Sequence, residues 1–128
     1  MSTEELEEKE KLILVIDDDI TSLDIVCFLF EERGYTVEPC ADGHTAIDYV
    51  QSRKPDILVV DLMMPNINGV ETVKQIRGLG LTDTPIIAFT AVDDPAVHSE
   101  AIDAGCNEVL TKPLHPEKLL KKIERFLV

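Results

Sequence analysis

The chain has 128 residues, enough for one domain and too few for two ordinary ones. With 45% hydrophobic and 29% charged residues, its composition suits a globular fold that needs no metal or disulfide staple. Twelve Lys plus Arg against 25 Asp plus Glu leave a net charge of −13, the wrong sign for direct contact with nucleic acid. No apolar run approaches the ~18 residues of a membrane span, so membrane insertion is not expected either.

Residues 1–10 hold five Glu and one Lys and read as a solvated acidic tail or fraying helix, not a signal peptide. The folded domain is expected over 11–128. Leu12 to Ile16 is an unbroken apolar run, the pattern of a strand buried on both faces, and it stops at Asp17. A helix is predicted from Ile20 to Arg33, capped by Asp19 and closed by Gly34. Tyr35 to Pro39 reads as a second strand. Asp42 can cap a helix reaching Lys54, where Pro55 ends it. Ile57 to Val60 is a third strand, and Asn66 or Asn68 starts a helix to Gly78. Ile86 to Phe89 is a fourth strand ending at Thr90, and Pro95 to Ala104 a helix closed by Gly105. Glu108 to Leu110 is a short fifth strand. Pro116 opens a last helix, with Leu120, Ile123 and Leu127 facing inward.

Strand and helix alternate five times with short connections. That predicts right-handed crossovers and a doubly wound, five-stranded parallel sheet with five helices. Cys27, Cys40 and Cys106 are odd in number and form no Cys-x-x-Cys pair. They read as reduced core residues of a cytoplasmic protein. His44, His98 and His115 lack ligand spacing and read as surface residues.

In a parallel sheet the carboxyl ends of all strands lie on one edge, where ligands of open α/β folds bind. Here those ends carry Asp17 and Asp18, Asp61, Thr90, and Thr111 with Lys112. Crowded carboxylates repel by about 4 kcal/mol per pair at ~4 Å, so their pKa values rise or a cation sits among them. Oxygen ligands favour Mg²⁺. Adding an ammonium and a hydroxyl completes the parts for phosphoryl transfer to an Asp.

Leu-Val-Ile-Asp-Asp-Asp at 14–19, Val-Asp-Leu-Met-Met-Pro-Asn-Ile-Asn-Gly at 60–69, Phe-Thr-Ala at 89–91 and Leu-Thr-Lys-Pro-Leu at 110–114 occur in order at successive strand ends. In these motifs the chain resembles the CheY-like receiver domains of response regulators in two-component signalling, over about Lys11 to Val128, and the resemblance implies the flavodoxin-like strand order 2-1-3-4-5. The resemblance implies that Asp61 accepts a phosphoryl group from a phosphohistidine on a sensor histidine kinase or phosphotransfer protein. It implies that Asp17, Asp18, Asp61 and the carbonyl of Met63 hold Mg²⁺, that Thr90 swings toward the acyl phosphate, and that Lys112 pairs with it. Pro65 and Gly69 would shape the loop after Asp61, and the Lys112–Pro113 bond is typically cis. Such a domain is a phosphoacceptor that switches protein contacts, not a turnover enzyme. Met1 and the lack of a linker point to a free-standing regulator.

Three positions depart from that pattern. The aromatic expected three residues before Lys112 is Val109, so the switch is expected to run through Thr90 and backbone shifts of residues 94–104. Met63 and Val92, two residues after Asp61 and Thr90, cannot orient a hydrolytic water. Slow self-dephosphorylation is therefore expected, and a phosphoryl half-life of seconds at neutral pH would refute it. On the first helix, Leu23, Val26, Cys27 and Phe30 form an inward stripe while Ile25 and Phe28 point away, beside the acidic cleft. They are expected to contact the phosphodonor.

A different enzyme class fits part of the sequence. Asp17, Asp19, Thr90 and Lys112 match the motif order of haloacid-dehalogenase-like phosphatases with Asp17 as nucleophile. That scheme leaves Asp61 and its Met-Pro loop without a role. A receiver-like module that binds without phosphorylation leaves all the chemical residues unused. A flavodoxin-type cofactor site would set three Asp against a phosphate.

Overall fold

The computed structural model describes residues 11–127, so the acidic stretch 1–10 lies outside the described residues. Ten elements alternate: β1 (Leu12–Ile16), α1 (Ile20–Glu32), β2 (Thr36–Cys40), α2 (Gly43–Ser52), β3 (Ile57–Val60), α3 (Gly69–Gly78), β4 (Ile86–Thr90), α4 (Pro95–Ala104), β5 (Glu108–Thr111) and α5 (Pro116–Leu127). The sheet order is β2-β1-β3-β4-β5, with every pair parallel.

The apolar strands are continuous because both faces are covered. Along β1, Leu14 and Ile16 join the core under α2, α3 and α4, whereas Ile13 and Val15 join the core under α1 and α5. The period of two repeats in β3 and β4: Leu58, Val60, Ile86 and Ala88 face one way, Ile57, Val59, Ile87 and Phe89 the other. α5 buries Leu119 as well as Leu120, Ile123 and Leu127.

Boundaries shift where local chemistry overrides pattern. β2 runs one residue later than its apolar pattern suggests and contains the exposed Pro39, which it tolerates because it is an edge strand pairing only with β1. α2 stops at Ser52, short of Lys54: Arg53 turns extended at φ −146°, since Lys54 precedes Pro55 and disfavours the helical region. Of the two Asn candidates, Asn68 caps α3, its side chain accepting from Glu71 N–H at 2.9 Å, while Asn66 takes a turn conformation at φ 67°. Asp19, Asp42 and Asp94 cap α1, α2 and α4 in the same way.

Arg77 fastens the lower edge. Its guanidinium donates to the carbonyls of Leu81 and Thr84, both at 2.7 Å, to Gly105 O at 2.8 Å and to Asn107 Oδ1 at 3.1 Å. The end of α3 is thereby tied to the turns before β4 and after α4.

Candidate functional site

The site is built by hydrogen bonds that continue the sheet one residue past its strands. Asp17 N–H donates to Cys40 O at 3.0 Å, Asp61 N–H to Ile16 O at 2.9 Å and Lys112 N–H to Thr90 O at 2.7 Å. Ile16 pairs with Val60 in the register, so Asp17 and Asp61 emerge side by side from β1 and β3. Thr90 pairs with Thr111, which delivers Lys112 beside the same edge.

Asp17 is 6% exposed, Asp61 half-buried and Asp18 open to solvent. One carboxylate oxygen from each lies within 4.8 Å of the others. Asp17 accepts from Asp19 N–H at 3.0 Å through Oδ1 and from Lys112 Nζ at 2.9 Å through Oδ2. Asp61 accepts from Met63 N–H at 3.1 Å through Oδ1, and its Oδ2 lies 3.5 Å from Lys112 Nζ. The ammonium is thus committed to Asp17, leaving Asp61 the less engaged carboxylate.

Electrostatics agree with that reading. Burial pushes the Asp17 carboxyl above the usual range. Lys112 and the Asp19 N–H pull it back without cancelling the effect, and the charge of Asp61 adds to it. Burial pulls Lys112 down, but its bond to Asp17 and attraction to both carboxylates win, so its pKa is raised and it stays an ammonium. The cluster offers hard oxygens only, with one solvent-facing member, and its burial favours added positive charge. That donor set suits a small divalent cation that keeps some of its waters.

Thr90 is fully buried and its Oγ1 accepts from Val92 N–H at 3.3 Å. Lys112 Nζ also stands 5.2 Å from the centre of the Phe89 ring, a cation–π contact that steadies the ammonium from below. The Lys112–Pro113 peptide is cis. Met63 turns its side chain outward, 61% exposed, and Val92 is half-buried. Neither carries a group able to hold a water. Val109 is half-buried and packs against the α2–α4 core.

Two features escape sequence reasoning. His98, expected at the surface, is half-buried, and its Nε2 lies 2.6 Å from Val92 O. Its single ring in a short helix carried no spacing signal; only the closing of the 91–94 loop brings the carbonyl to it. His44 and His115 are exposed as expected. The second feature is a groove of about 270 Å³ between α1 and the β5–α5 loop, lined by Ile25, Leu29, Phe89, Lys112, Pro113 and Leu114 among others. Ile25, 55% exposed, forms part of its wall. Phe28, 66% exposed, does not line it and stands on the neighbouring outward face of α1.

The family described as "Response regulator receiver domain" matches residues 13–124. The response regulator MprA of Mycobacterium tuberculosis is 39% identical over 115 residues, covering 90% of this chain and 50% of that protein. The MprA of Mycobacterium avium is 38% identical over the same span. The chain therefore spans about half the length of these curated relatives. Among solved structures, the chemotaxis protein CheY4 of Vibrio cholerae superimposes with a TM-score of 0.88 at 34% identity, covering 92% of this chain and 99% of that one. A CheY-like receiver domain protein of Methanospirillum hungatei gives 0.88 at 26% identity, covering 92% and 94%.

Proposed function

This chain belongs to the response-regulator receiver family, and we propose that Asp61 is its phosphoacceptor, loaded from a phosphohistidine on a sensor histidine kinase or phosphotransfer protein. The observation that carries this reading is the placement of Lys112. Its ammonium bonds Asp17 at 2.9 Å and stands 3.5 Å from Asp61, so Asp61 Oδ2 is the more loosely held carboxylate oxygen and the one available for attack.

In the transfer, an Asp61 carboxylate oxygen forms a bond to phosphorus as the phosphorus–nitrogen bond to the donor imidazole breaks. The imidazole leaves with the bonding pair and takes a proton from solvent. Lys112 balances charge on one phosphoryl oxygen, and the Thr90 hydroxyl donates to another once it leaves Val92 N–H. Asp17, Asp18, Asp61 and the Met63 carbonyl would hold Mg²⁺, which supplies charge neutralisation between the carboxylates and the incoming phosphoryl group. The acceptor is consumed rather than turned over, so the domain acts as a switch for protein contacts and not as an enzyme on a separate substrate.

The phosphatase scheme with Asp17 as nucleophile is disfavoured by geometry. Both Asp17 oxygens are engaged, by Asp19 N–H and by Lys112. A cytoplasmic setting accords with three unpaired buried thiols, Cys27, Cys40 and Cys106, which burial pushes up to about 11, about 12 and about 11. No helix among the described residues is long and apolar enough to cross a membrane.

The deciding experiment is incubation with Mg²⁺ and acetyl phosphate followed by intact mass. The protein gains one phosphate, and Asp61→Asn gains none. A gain retained in Asp61→Asn, or lost in Asp17→Asn but not in Asp61→Asn, overturns the assignment.

The donor is proposed to dock over α1 at Ile25 and Phe28, with Ile25 in the wall of the groove that ends at Lys112. Phe28→Ala and Ile25→Ala are each expected to raise the apparent KM for a cognate phosphodonor several-fold. Their rates with acetyl phosphate stay as in the parent. Unchanged donor affinity and transfer rate in both variants would remove these residues from the interface.

A further inference from the structure

Lacking an aromatic at Val109, this chain needs another route from Thr90 into α4, and two consecutive hydrogen bonds supply one. Thr90 Oγ1 accepts from Val92 N–H at 3.3 Å, and on the other side of the same residue Val92 O meets His98 Nε2 at 2.6 Å. Because a carbonyl only accepts, the ring must carry its hydrogen on Nε2. His98 sits in the first turns of α4, where its own N–H donates to Asp94 O at 3.0 Å. The imidazole therefore ties the 91–94 loop back onto the helix it leads into.

We propose that His98 is a positioning residue that latches Val92 and so keeps the Thr90 hydroxyl parked away from Asp61 in the resting state. The proposal rests on Asp61 being the phosphoacceptor. Accepting from Val92 N–H does not block donation by the hydroxyl, but the swing of Thr90 toward a phosphoryl group on Asp61 that the proposed function requires carries Oγ1 away from Val92 N–H. With Val92 O fixed by His98, the loop resists the rearrangement by about the worth of one hydrogen bond. Phosphorylation then works against the latch, and its release is felt in α4.

Removing the latch thus has a direction that general damage does not share. His98→Ala, which also places a better helix former in α4, should phosphorylate faster than the parent with acetyl phosphate and Mg²⁺. The first-order rate at saturating donor is expected to rise roughly threefold to tenfold, with the donor KM unchanged. His98→Gln, whose amide N–H can also donate to Val92 O, should return the rate to that of the parent. In the unphosphorylated parent, ¹⁵N NMR should show the Nε2–H tautomer with a slowly exchanging ring proton.

A rate in His98→Ala equal to or below the parent's, with an unchanged melting temperature, overturns the latch. So does a His98→Gln protein that behaves like His98→Ala. If His98→Ala fails to fold, the His98→Gln rate and the ring-proton measurement decide, and a fast-exchanging ring or an Nδ1–H tautomer rejects the proposal. Failure of the parent itself to gain a phosphate would instead strike the Asp61 reading, and the ring measurement would still report on the bond.

Discussion

Lys112→Met is expected to act in opposite directions on stability and on metal binding. Without Mg²⁺ the variant should lose about 2–3 kcal/mol, because removing one partner of a largely buried ion pair strands Asp17 in a site that already disfavours its charge. Its Mg²⁺ affinity should rise by roughly tenfold or more. A positive charge a few ångströms from the carboxylates competes with a dication, by over 1 kcal/mol even at the dielectric of water. Phosphorylation by acetyl phosphate should nevertheless fall about 10²-fold, since the ammonium that meets the phosphoryl oxygens is gone. Urea unfolding with and without Mg²⁺ reads the first two effects together. The midpoint drops in the metal-free variant and recovers more steeply with added Mg²⁺ than in the parent. An equal or weaker Mg²⁺ response would show that Lys112 and the cation do not share carboxylates.

The tier of information that sequence conveys is visible in these same residues. Asp17, Asp61, Thr90 and Lys112 could be assembled from the sequence because a parallel sheet sends every strand's carboxyl end to one edge. The apolar runs at 12–16, 57–60 and 86–89 announce strands buried on both faces. Which carboxylate the Lys prefers was not legible. The difference between 2.9 and 3.5 Å is a matter of tertiary placement of the ammonium, which also stands 5.2 Å from the centre of the Phe89 ring. The same limit holds on α1. Periodicity puts Ile25 and Phe28 on the outward side, but the helix's rotation against α5 decides that Ile25 enters the groove and Phe28 stays out of it. His98 lay further from reach, because a carbonyl in an irregular loop leaves no periodic trace. Pro39 in β2 shows the converse, a residue that reads as a strand's end and is tolerated because that strand is an edge.

Gly69 and Gly78 bracket α3 and should answer the same substitution with opposite signs. Gly69 opens the helix directly against the Asp61–Leu62 backbone, and its N–H donates to Leu62 O at 3.0 Å to close the loop. A Cβ there would stand 2.6 Å from Leu62 Cα and 2.9 Å from Asp61 C, with the Asp61 carbonyl oxygen nearer still. These are backbone atoms of a buried strand end and cannot step aside. Relief must come by displacing the start of α3 or the Asp61 peptide. Gly69→Ala is accordingly expected to cost about 3 kcal/mol or more and to slow phosphorylation of whatever fraction folds, because the displaced peptide carries the acceptor carboxylate. Gly78 ends the same helix with nothing within 4 Å of its would-be Cβ and no left-handed φ. Gly78→Ala should stabilise the protein by about 0.5–1 kcal/mol through a less flexible unfolded chain and leave the phosphorylation rate as it was. Chemical denaturation of the pair separates the two causes. If Gly69→Ala were as stable as Gly78→Ala, the close approach of α3 to the acceptor loop would not be rigid. The loop's geometry could then not be what presents Asp61 to its donor.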